Sequence, residues 1–107
     1  MENKKFYSML GLSKRAGAIA FGEGAVKDSI RQKTAKLVVV SADASANTKK
    51  KFSDSCTFYN VPYVETGDRY TLGNATGNTF AVVLAVTNQG LAENLLKLLN
   101  EARADEL

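Results

Sequence analysis

Leu37-Val38-Val39-Val40 is an unbroken apolar row, three of its four residues β-branched. A strand with one wet face alternates polar and apolar residues. A continuous run predicts instead a strand covered on both sides, as in a parallel or mixed sheet with helices above and below. Phe80 to Val86 reads as a second strand of the same kind.

The flanking segments supply the helices. Towards the N-terminus, Val26 and Ile30 stand four apart in a helix that follows Gly22 and ends near Thr34. Ala18 to Phe21, bracketed by Gly17 and Gly22, reads as a short strand, and Phe6, Met9 and Leu10 share one face of a first helix. Beyond Val40, Asp43 and Ser45 are candidate N-caps for a helix whose inner face is Phe52, Cys56 and Tyr59. Val61-Pro62-Tyr63-Val64 is a short strand with proline near its start. Thr66 and Asp68 are capping residues for a short helix, and Asn88 caps a last one with Leu91, Leu95, Leu98, Leu99 and Ala102 as its buried stripe. Strand and helix alternate to the end. The expectation is an α/β fold of one domain over residues 1–107, a three-layer α-β-α sandwich with a central mixed sheet of about four strands.

Composition narrows the chemistry. The 107 residues are 45% hydrophobic, enough for a core without metal or disulfide staples. There is no histidine and one cysteine, Cys56, which removes Ser-His-Asp and Cys-His triads, thiolate zinc clusters and an internal disulfide. No metal, cofactor or catalytic residue is expected. Without a signal peptide or a long apolar run, a cytoplasmic, monomeric protein with no membrane partner is the expectation. The net charge of +3 is uneven: residues 1–51 hold eleven Lys/Arg against four acids, and residues 52–107 hold three against seven. Such a split can put a positive face on a nearly neutral protein.

One turn focuses that charge. Gly22-Glu23-Gly24 joins a strand to a helix start, where free backbone N–H groups form an anion site and glycines let another backbone approach. No P-loop or complete dinucleotide fingerprint is present. Lys14, Arg15, Lys27, Arg31 and Lys33 are the cations read as surrounding the turn. Lys49-Lys50-Lys51 places three more in the first two turns of a helix, where the macrodipole prefers acids. Either phosphates or plain solvation would offset that cost.

The stretches GLSKRAGAIAFGEGAV (residues 11–26), IRQKTAKLVVVSADASANTKKK (30–51), NVPYV (60–64) and LGNATG leading into FAVVLAV (72–86) resemble, in order and spacing, a known family. It is that of the kink-turn RNA-binding ribosomal proteins of L-seven-Ae and L-thirty-e type, in particular their small bacterial YlxQ-like branch. The resemblance implies an RNA surface made by the Gly22 turn, the start of the following helix and loops at the same edge of the sheet. Polar side chains in such proteins read sheared G·A pairs, sites whose distortion exposes base edges. Carried over position by position, Gly22 matches the family glycine. Gly24 and Ala25, beside Glu23, replace two polar readers, and Asp28 takes a lysine position. Lys27 stands one residue earlier, about 100° around the helix, and substitutes only if the turn is one residue shorter. Arg31 and Arg69 match basic positions. The loop Asn74 to Thr79, with Gly77 and Asn78, takes the place of a base-covering loop but lacks a bulky aliphatic residue. The expected partner is therefore structured RNA, including ribosomal RNA or the ribosome, held more by phosphate contact than by base readout. The alternative reading is a protein-interaction or regulatory module of the same fold.

Overall fold

The computed structural model of the chain describes residues 3–105. Five helices and four strands alternate: α1 (Lys4–Arg15), β1 (Ile19–Phe21), α2 (Glu23–Arg31), β2 (Leu37–Val40), α3 (Ala46–Tyr59), β3 (Tyr63–Glu65), α4 (Arg69–Ala75), β4 (Val83–Val86) and α5 (Gln89–Asp105). The strand order is β1-β4-β2-β3, with β4 antiparallel to both neighbours and β2 parallel to β3. This is the mixed four-stranded sheet expected.

The two continuous apolar runs occupy the centre, and their side chains divide between two cores. Leu37, Val39, Leu84 and Val86 face Phe6 and Leu10 of α1, Leu72 of α4 and Leu95 and Leu99 of α5. Val38, Val40, Val83 and Ala85 face Val26 and Ile30 of α2 and Phe52 and Cys56 of α3. The result is three layers. Each fully buried leucine or valine contributes about 1.5–3 kcal/mol, which is why neither run alternates with polar residues. The close packing extends to α4, where a side chain on Gly73 would come within 2.5 Å of the Phe80 Cα.

Caps fix the helix ends. The Asn3 side chain accepts from the Phe6 amide, Ser45 from Thr48, Asp68 from Tyr70 and Thr71, and Asn88 from Leu91. Ser45 is therefore the cap of α3, and Asp43 is not. Nor does Thr66 cap α4. Asn60, in the left-handed conformation (φ 58°), terminates α3 ahead of Pro62. Two further expectations need correction. Tyr59 lies outside the core, 36% exposed, where it lines a groove with Lys27, Ile30 and Arg31 of α2. Phe80 is not in a strand: pairing begins only at Val83, and the Phe80 ring is 53% exposed.

Candidate nucleic-acid interface

Strand directions bring four connections to one end of the sheet. Phe21 pairs with Leu84, Val40 with Val83, and Val40 with Glu65. The end of β1, the end of β2, the end of β3 and the start of β4 are thus neighbours. The Gly22 turn, the loop from Ser41 to Ser45, the loop from Thr66 to Asp68 and the segment before Val83 form one edge. Backbone bonds tie it together: Gly22 donates to Val83 O, Ser41 to Val82 O, Thr66 to Val40 O, Ala42 to Gly67 O and Ala81 to Arg69 O.

Gly22 is the N-cap of α2, with φ 93° and ψ 161°, a conformation essentially restricted to glycine. Its geometry turns the chain from β1 straight into the helix, and Val26 is the first residue to close a helical bond, onto Gly22 O. The amides of Glu23, Gly24 and Ala25 come before that ladder and face outward at a positive helix end. All three residues are exposed, and neither Gly22 nor Gly24 has a heavy atom within 4 Å of where a Cβ would stand. An incoming phosphate therefore meets backbone at Gly22, Gly24 and Ala25, with the Glu23 carboxylate as the one charged side chain of the turn.

The charged residues are largely committed to one another. Lys51 Nζ sits 2.7 Å from Glu23, Arg31 2.9 Å from Asp28, Lys50 3.1 Å from Asp54 and Lys49 3.7 Å from Glu65. The lysine run at the start of α3 is thus offset by carboxylates of the chain itself. At such exposure each pair is worth at most about 1 kcal/mol, so a polyanion can displace it. Lys27 makes no ion pair among the described residues.

Arg69 has a structural task. Its amide donates to Asp43 Oδ1 (3.2 Å), its Nε to Oδ2 (3.4 Å) and its Nη2 to Asp43 O (3.0 Å), fastening α4 to the loop after β2. The Ser41 hydroxyl, then the amide and guanidinium of Arg69, hold the Asp43 carboxyl below its ordinary range. Asp68 is lowered likewise, first by the Thr71 amide and hydroxyl. Asn78 donates its side-chain amide to Thr76 O and Oγ1, shaping the turn at Gly77, while Thr79 is exposed.

Other cations lie elsewhere. Lys14 and Arg15 end α1 and precede the start of β1, at the opposite end of the sheet from Gly22, and Lys33 lies beyond the far end of α2. Asn74 lies in a groove between α4 and α1. The residues missed from sequence are aromatic. Phe21, Tyr70 and Phe80 are 37%, 65% and 53% exposed, and they adjoin Gly22, Arg69 and Thr79. Their signal was adjacency to polar turn residues, which a reading of Phe80 as strand obscured.

Residues 4–96 match the family described as ribosomal protein L7Ae/L30e/S12e/Gadd45. The chain belongs to that family. It is 43% identical over 100 residues to RNA-binding protein YlxQ of Bacillus subtilis, covering 94% of this chain and all of that one. It is 33% identical to RNA-binding protein YlxQ of Enterococcus faecium over 96 residues, 90% of this chain and 92% of the relative. Among solved structures, a Bacillus halodurans protein of unknown function superposes with a TM-score of 0.88 at 36% identity, over 92% of this chain and 99% of that one. A Giardia lamblia 15.5 kD RNA-binding protein shares the fold, with a TM-score of 0.75 at 19% identity over 97% and 92% of the chains. The names of the two YlxQ relatives are those of RNA-binding proteins and not of enzymes. No helix among the described residues is long and apolar enough to cross a membrane.

Proposed function

We propose that this member of the L7Ae/L30e/S12e/Gadd45 family binds structured, kink-turn-like RNA through the Gly22 edge, in the cytoplasm and in association with ribosomal RNA. The observation that carries the reading is the open start of α2. It presents a glycine-only turn and three outward amides, with Glu23 the one long side chain among them, displaceable Lys51 paired to that carboxylate, Lys27 one turn along, and Arg31 in the last turn of the helix. The names of the YlxQ relatives support RNA as the partner.

Such a site holds phosphate by backbone amides, the helix dipole and mobile cations, none of which reads sequence. Specificity then comes from shape, since only a sharply bent or unstacked RNA can lay its backbone against the turn while offering bases to the exposed Phe80 and Tyr70 rings. Gly24 and Ala25 offer no polar side chain to a guanine edge, so preference for a kink-turn over other structured RNA is modest. That absence is also what favours a protein-interaction module as the second reading.

The test is equilibrium binding of a kink-turn RNA and of the same RNA with its sheared G·A pairs replaced by Watson–Crick pairs, over a range of salt. Affinity for the first should exceed that for the second. Both should fall with salt by about 0.7 to 0.9 in logarithmic slope for each phosphate neutralised. No binding to either RNA at low salt would end the proposal. A protein complex stable to ribonuclease would favour the second reading, whereas ribonuclease-sensitive co-sedimentation with ribosomal subunits would support the first.

A further inference from the structure

Among the described helices the sharpest charge imbalance lies outside the Gly22 edge, on α1. Its twelve residues carry Lys4, Lys5, Lys14 and Arg15 and no carboxylate. None of these four makes an ion pair among the described residues, in contrast to the lysines of α3. Lys14 and Arg15 in the last turn suit the macrodipole. Lys4 and Lys5 oppose it, and no acidic residue shares their turn.

A groove of about 630 Å³ runs between α1 and α4, its polar lining Lys4, Ser8 and Arg15 on one side and Thr71 and Asn74 on the other, with Gly11, Tyr7, Leu12 and Ala75 completing it. Among the described residues no aspartate or glutamate lines it. Lys4 and Arg15 are eleven residues apart, which at 100° per residue returns to within about 20° of the same helical face. Lys4, Ser8, Gly11 and Arg15 are therefore one stripe with a cation at each end, about 16 Å apart along the axis. That is the rise of about five stacked nucleotides of one strand. Gly11 keeps the floor low, because a side chain there would stand 3.2 Å from Ala75 O. The carboxylate of Asp68, one turn before Thr71, is occupied by the Tyr70 and Thr71 amides. The helix α4 begins at the Gly22 edge, so the groove leads away from that edge along a continuous surface.

We propose that the α1/α4 groove is a second phosphate-binding surface, along which an RNA held at the Gly22 edge continues its sugar-phosphate backbone. The proposal rests on the RNA-binding reading above. Lys4 and Arg15 contact phosphates at the two ends, and Ser8 and Asn74 bond sugar or phosphate oxygens between them, contacts that position a strand without reading it.

The test uses the full chain and its Lys4→Gln/Arg15→Gln variant, both side chains being exposed, so that the unfolding midpoint should not move. The probes are a kink-turn RNA trimmed to short flanking helices and the same RNA with one helix extended by about ten base pairs. On the extended RNA the variant should bind more weakly, its logarithmic salt slope smaller by about 1.4 to 1.8, the loss of two phosphate contacts. On the trimmed RNA it should match the unmodified protein. An unchanged slope on the extended RNA would overturn the inference and leave the Gly22 reading intact, and so would an equal loss on both RNAs. Failure of the unmodified protein to bind either RNA would remove both.

Discussion

Alanine at Gly22 and alanine at Gly24 should act in opposite directions although the two glycines are two residues apart and both have room for a side chain. Gly22 holds φ 93° and ψ 161°, a region in which a residue with a Cβ stores about 1–3 kcal/mol of strain. Since nothing lies within 4 Å of the added methyl, no clash contributes and the whole cost is backbone. For a chain of this size, Gly22→Ala should lower the unfolding midpoint by about 4–13 °C. RNA affinity should fall with it, because rotating the turn to relieve the strain re-aims the amides of Glu23, Gly24 and Ala25. Gly24 lies inside α2, where glycine is the weaker helix former. Gly24→Ala should therefore stabilise, by up to about 1 kcal/mol. Thermal unfolding of the two variants beside the unmodified protein reads both effects. A Gly22→Ala protein with an unchanged midpoint, or two shifts of the same sign, would refute the assignment of strain to the turn.

Phe80→Ala removes a ring that is half in solvent, so stability should change little, whereas affinity for kink-turn RNA should fall by about 1–3 kcal/mol, the worth of one stacked base, in a filter-binding titration. Glu23→Gln deletes the carboxylate beside the outward amides and frees Lys51, and should tighten RNA binding about two- to fivefold at low salt. The folded-state pKa values of Asp43 and Asp68 lie below the ordinary 3.8, so the unfolded chain takes up these protons first. Their stabilisation is therefore complete above about pH 3.8 and disappears as pH falls through the lower folded values, which urea titrations from pH 6 to pH 2 would show, with Asp43→Asn flattening the profile. Burial pushes the Cys56 thiol up to about 11, so an alkylating reagent at neutral pH should label it only when the protein unfolds.

The central sheet was legible because Leu37–Val40 and the run ending at Val86 are apolar on both faces, and only a doubly covered strand demands that. The same continuity hid where pairing stops. Phe80 looks like strand in a row of apolar residues, yet Ala81 turns away to bond Arg69 O and leaves the ring in solvent. Capping was legible as a residue type but not as a choice, since Asp43 and Ser45 are both good caps and a guanidinium 26 residues away claims the first. The charge split in the sequence did not reveal which cations carboxylates of the chain would pair. Glu23 and Lys51, 28 residues apart, pair at the edge where a positive face was expected, while four cations without an ion pair among the described residues share α1. Long-range pairing of this kind has no signature in local pattern. The Gly22 turn was legible because glycine between a strand and a helix has few other reasons to be there.

Amide chemical-shift mapping on the ¹⁵N-labelled protein during titration with a kink-turn RNA is the most direct test of the Gly22 edge as the binding surface. The largest changes should fall on Gly22 to Ala25, on Arg69 and Tyr70, and on Asn78 to Phe80, with the exposed face of α5 silent. Changes centred on α5, or none at RNA concentrations that saturate binding by other measures, would contradict it.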